Sequence, residues 1–236
     1  NIYRFPKQVM PLPYFCIVSG NHQEKVIEIG HEGQMSETSP PTKFHFFYTS
    51  SIEENIIESL TSFIEKVIIC IEKLFDVRPL FDCVQIADVP GYPDRESNAA
   101  GIVVFESDTL NNFEINRHFI IKQIFKQFIK VFPETASENW IIEGLSSYLA
   151  LVVLHSLFVE NSGKGEIEAN SVMDIDLEFY QLEFFRVALN NDASAQCDAL
   201  SNEVSYLDDD FLFDFIFTHK STCLMRMLFL NKSFEY

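Results

Sequence analysis

The sequence predicts an α+β fold, and three observations carry the prediction. Short apolar runs of strand length crowd the chain ahead of residue 106, one long stretch with helical period interrupts them, and helical patterning takes over after residue 115. Strands first and helices afterwards point to α+β, whereas regular alternation would point to a parallel sheet with helices on both faces. With 236 residues, 47% of them apolar, the chain can bury a sizeable core and fits one large domain, or a main domain with an appendage. Its 24 phenylalanines supply bulk for that core or for partner interfaces.

Taken in order, residues 14–18 and 26–29 read as strands joined by a turn at Gly20-Asn21, and the polar stretch 30–41 reads as a loop ending in Pro40-Pro41. Residues 43–48 form a further strand. A helix is expected from about Ile52, capped by Ser51, with Glu53 and Glu54 in its first turn. Ile52, Ile56, Leu60, Phe63, Ile64, Val67, Ile68, Ile71 and Phe75 recur at the helical period, and Pro79 closes the unit. Strands are expected at 81–87 and 101–105, separated by a loop at 90–98 and followed by a polar connection to Asn116. Helices then cover 117–132, stopped at Pro133, and 139–158. A polar stretch at 160–172 leads to a helix at 174–189 and irregular chain at 190–205. The acidic run Asp208-Asp209-Asp210 precedes 211–217 and a last helix at about 218–230.

Charge and cysteine usage bound the function. A net charge of −18, from 35 acidic and 17 basic residues, argues against a nucleic-acid footprint and against an anionic membrane surface, and suits a basic protein surface. Cys16, Cys70, Cys83, Cys197 and Cys223 lack CxxC spacing and read as free thiols in a reducing compartment. The apolar run 67–71 is too short to span a bilayer, and no signal peptide is visible.

One segment carries more. Trp140-Ile141-Ile142-Glu143-Gly144-Leu145-Ser146-Ser147-Tyr148 resembles the Trp-Leu-Asn-Glu-Gly-Phe-Ala-x-Tyr segment of the zinc aminopeptidases, whose preceding helix bears His-Glu-x-x-His. The resemblance implies a thermolysin-like domain over 49–236, mostly helical in its second half, with 1–48 as the end of a β-rich N-terminal domain and its linker. It places Glu143 at the family's third metal ligand. A zinc site also needs two imidazoles one turn apart, and a Glu beside the first to take a proton from water. Allowing a two-residue deletion, those positions fall on Lys122, Gln123 and Lys126; without it, the imidazole positions fall on Ile120 and Ile124. Neither placement supplies a histidine. Protonated Lys has no lone pair for zinc, and an amide cannot replace the proton-accepting carboxylate.

Two further stretches are similar to the family's in the right order. The loop glutamate that binds a substrate's amino terminus is matched by Asn98, with Glu96 nearby as a substitute along a different loop path. The tyrosine that meets the oxyanion is matched by Thr218, ahead of a shared Arg226-Met227; its hydroxyl falls short of a phenol's reach by about a ring. Within this group, Asp88-Val89-Pro90-Gly91-Tyr92, the strand from Gly101 and the Trp140, Gly144 and Tyr148 spacing also resemble the aminopeptidase-like subunit class of the general transcription factor TFIID.

The resemblance thus implies a non-catalytic scaffold or protein-interaction domain with no metal and no cofactor. Protein partners are expected, and contact with nucleic acid or membrane is not. An intracellular location is favoured, nuclear under the TFIID-like reading. Two alternatives stay open: a peptide-binding module using the former substrate cleft, and a metallo-aminopeptidase with displaced ligands, for instance His118 with Glu143. Lys122, Lys126 and Lys130 form a stripe on one helix face. That stripe is either a solvated face opposite Ile121, Ile124, Phe125, Phe128 and Phe132, or it reaches Glu143 with the positive charge a zinc ion would supply. The remaining histidines show no ligand spacing, Asp208-Asp209-Asp210 reads as a solvated run, and neither Cys70 nor Cys223 has a histidine arrangement to make it a nucleophile.

Overall fold

Alternating side chains build the first strands. In a computed structural model that describes residues 17–29, 42–92, 97–99, 101–129, 139–162, 185–190 and 211–232, β1 (Gln23–Ile29) and β2 (Thr42–Tyr48) pair antiparallel, with Ile27 opposite Phe44 and Val26 opposite His45. Ile27, Ile29, Phe44 and Phe46 are buried on one face, and Glu24, Glu28 and Lys43 are exposed on the other, as a period of two requires. The expected strand at 14–18 is not found in its described part: Ile17 and Val18 have no regular structure, and 14–16 lie outside the described residues.

The chain then crosses through helix α1 (Glu54–Phe75) to β3 (Cys83–Asp88), which lies parallel to β2. Parallel neighbours need a crossover of this kind, because a tight turn cannot return the chain to the same end of the sheet. Strand β5 (Ile102–Phe105) is parallel to β3, and β4 (Ser97–Ala99) pairs antiparallel with β5 at the edge. The order is β1-β2-β3-β5-β4. All four residues of β5 are buried, which suits an interior parallel strand. The architecture is a mixed α+β fold, an N-terminal open sheet followed by a mostly helical region, with parallel pairing at the centre of the sheet.

Four local expectations change. Helix α1 starts at Glu54 rather than Ile52, and the side chain that meets the backbone at that end is Asn111, not Ser51. The Asn111 amide oxygen accepts the Glu53 N–H at 3.2 Å, and its NH2 donates to the Ser51 carbonyl at 2.9 Å. Residues 97 and 98 are strand rather than loop: they belong to β4, in which Ala99 faces Ile102, and Gly101 takes φ +77° just before β5. The polar connection to Asn116 contains a helix, α2 (Ser107–Asn111), too short to show a period. The helix expected over 117–132 is α3 (Arg117–Lys126). The Gln127 and Phe128 N–H groups bond three residues back, to the Ile124 and Phe125 carbonyls at 3.0 and 2.9 Å, tightening the last turn and burying both side chains. Pro133 and Lys130 lie outside the described residues.

The chain divides into two compact units, 1–65 with 79–113 and 66–78 with 114–236. The expected boundary at 48/49 therefore falls within the first unit, where β2 shares a sheet with β3 and β5. In the second unit α4 (Asn139–Ser162) packs against both α3 and α5 (Phe211–Lys232). The final helix thus begins at Phe211 rather than near residue 218. Leu151 of α4 and Cys223 of α5 close a small core with Phe185 and Ala188, from the helical stretch 185–190. The segment Trp140–Leu157 is long and apolar enough to cross a membrane by length and composition; in this unit Ala150, Leu151, Val153 and Leu154 are buried.

Candidate functional site

Helix α3 has no solvated face around the site: Ile120, Ile121, Lys122, Gln123, Ile124 and Phe125 are all buried in succession. Four-residue spacing places the Lys122 and Lys126 side chains one above the other, and both turn to Glu143 in the first turns of α4. Lys122 Nζ lies 2.9 Å from Glu143 Oε2, and Lys126 Nζ donates to Oε1 at 2.5 Å. The three side chains are only 3%, 11% and 13% exposed. For these two lysines the solvated-face reading is corrected: the stripe points inward, because hydrophobic residues surround α3 and the carboxylate compensates the charge.

The electrostatics follow from that geometry. Burial alone pushes the Glu143 carboxyl up, but the Lys122 and Lys126 ammonium groups outweigh it and hold the carboxyl down, to about 2. The Glu143 carboxyl is therefore ionised at neutral pH. Its desolvation is costly, and removal of the carboxylate would leave two cations in a dry site.

These donors do not fit zinc. Zinc needs lone pairs from neutral imidazole, thiolate or carboxylate, and an ammonium group presents three protons and no lone pair. Two such groups hold both oxygens of the one carboxylate matched to a metal ligand. Among the described residues, no group of three His, Cys, Asp or Glu side chains could hold a metal ion. The displaced-ligand arrangement fares no better. His118 is buried in α3 and its Nε2 faces the Ser147 carbonyl at 3.0 Å. A carbonyl only accepts, so this nitrogen carries the proton, and among the described residues His118 belongs to no group of three potential metal ligands.

The segment that carries the resemblance also has a packing role. A Cβ at Gly144 would lie 2.7 Å from the Ser221 carbonyl carbon and oxygen, so α5 crosses α4 at the one residue without a side chain. Small polar residues line the crossing. The Ser221 and Thr222 hydroxyls donate to the Thr218 carbonyl at 3.0 and 2.6 Å, and Ser146 donates to the Glu143 carbonyl at 3.1 Å, so each satisfies itself within its own helix. Further along, the Tyr148 ring stacks on Phe229 with centroids 5.1 Å apart, and the Arg226 guanidinium sits over the Phe185 ring at 5.2 Å.

The structure thus brings Lys122, Lys126 and Glu143 together, with Gln123 buried next to them in sequence. Thr218 is half-buried on α5, where its carbonyl is engaged as described. Asn98 belongs to the other compact unit, its backbone in register with Val103, and Glu96 lies outside the described residues. The described cysteines are free thiols; burial pushes Cys223 up to about 11, with Arg226 opposing, which keeps it an inert core residue. His22 bonds the Asp88 carbonyl at 2.9 Å, and His45 pairs with Glu24 at 2.5 Å.

No family model matches the chain, and no curated protein matches it. Among solved structures it is distantly similar to aminopeptidases. Aminopeptidase A of Legionella pneumophila, solved in complex with aspartic acid, overlaps 58% of this chain and 17% of its own, at 14% identity and a TM-score of 0.47. An aminopeptidase N family protein from Idiomarina loihiensis overlaps 56% of this chain and 25% of its own, at 12% identity and a TM-score of 0.33. The chain therefore spans a quarter or less of either protein, and the overlap transfers no residue role.

Sequence reasoning missed a second buried carboxylate. Asp88 ends β3 fully buried; its Oδ2 accepts the Thr49 N–H at 3.0 Å and the Thr49 hydroxyl at 2.5 Å, and its Oδ1 accepts the Ser107 hydroxyl at 2.5 Å. The available signal was an Asp closing an apolar strand-length run; its partners lie 39 residues before it and 19 after it.

Proposed function

We propose that the chain is a non-catalytic, aminopeptidase-like scaffold in which two lysines clamp Glu143 at the position where the zinc aminopeptidases it resembles hold a metal. The observation that carries this reading is the buried Lys122–Glu143–Lys126 cluster. Peptide hydrolysis needs an activated water, a group that stabilises the oxyanion and a means of positioning substrate. At the matched positions Gln123 has no carboxylate for water, Thr218 has a short hydroxyl, and Asn98 has no charge for a substrate ammonium. The lysines reproduce one attribute of a metal, positive charge beside Glu143, and none of its coordination chemistry. The role that remains is assembly with other proteins, and the net charge of −18 favours partners with a basic face.

Restoring the missing groups tests this. The triple variant Lys122→His, Gln123→Glu, Lys126→His places the family's two imidazoles and its glutamate opposite Glu143. It is expected to bind one zinc ion, lost again on adding Glu143→Gln, with metal content measured alongside circular dichroism. A folded triple variant that takes up no zinc through Glu143 would overturn the assignment of these positions.

A further inference from the structure

We draw no further inference here: the strongest candidate, the pair of buried Lys122 and Lys126 ammonium groups where α3 meets α4, belongs to the site already described.

Discussion

Asp88 and Glu143 are both buried carboxylates, and the protein treats them in opposite ways. Asp88, at the end of β3, is held by neutral donors: one backbone N–H and two hydroxyls from Thr49 and Ser107. Those partners come from the chain just after β2 and from the start of α2, so the carboxylate ties strand ends to a helix start, and the fold explains it fully. Glu143 is held by two full positive charges. Hydroxyl and amide donors would satisfy a buried carboxylate more cheaply, since each buried ammonium brings its own desolvation. The expensive solution at Glu143 is what sets it apart from Asp88, which reads as a joint in the framework.

Charge removal should therefore separate the two. Glu143→Gln leaves both lysines buried without their carboxylate and is expected to destabilise the protein by about 3–5 kcal/mol in denaturant unfolding. Equal stability of variant and parent would break the pairing argument. Acid should erase the difference. The folded carboxyl is depressed from 4.5 to about 2, so the folded state binds fewer protons than the unfolded one below neutrality. The stability it contributes is complete above pH 4.5 and is lost as pH falls towards 2. The gap between parent and Glu143→Gln is expected to narrow across that window; a gap independent of pH would mean that the charge is not what stabilises the cluster.

Gly144→Val probes the helix crossing rather than the charge. Its new side chain would meet the Ser221 backbone, and α4 and α5 must separate, at about 1–3 kcal/mol in the same unfolding measurement. A neutral Gly144→Val would mean the crossing is looser than the geometry requires. The smallest effect is expected from Asp88→Asn, about 1 kcal/mol, because the amide still accepts from Thr49 and the Ser107 hydroxyl can rotate to accept from the new NH2. A loss as large as that of Glu143→Gln would erase the contrast between the two carboxylates.

What the sequence made legible follows the same division. Strand 43–48 and the helix through Ile64 and Ile71 declare themselves by period, because each buries one face and exposes another, whereas 101–105 declares itself as an unbroken apolar run buried on both faces. Helix α2 has five residues and no period to show. Residues 97 and 98 read as loop because a three-residue strand is too short to alternate; pairing with β5 makes them part of β4. Ser51 is the local choice of cap, but Asn111, 58 residues beyond Glu53, meets the backbone at Glu53 instead. The lysine spacing in α3 was visible, yet spacing does not say which way a stripe faces; only the packing of α3 on α4 turns it inward. Glu143 and Gly144 stand out in the sequence only through the resemblance of the segment 140–148, and the clearance at Ser221 needs the fold.

The central claim is that ammonium groups, not a metal, balance Glu143. Its most direct test is the zinc content of the intact protein, purified with zinc supplied, in parent and Glu143→Gln forms. The account predicts no equivalent of zinc in the parent that depends on Glu143. One tightly held zinc per chain, lost on Glu143→Gln while the variant stays folded, would contradict it.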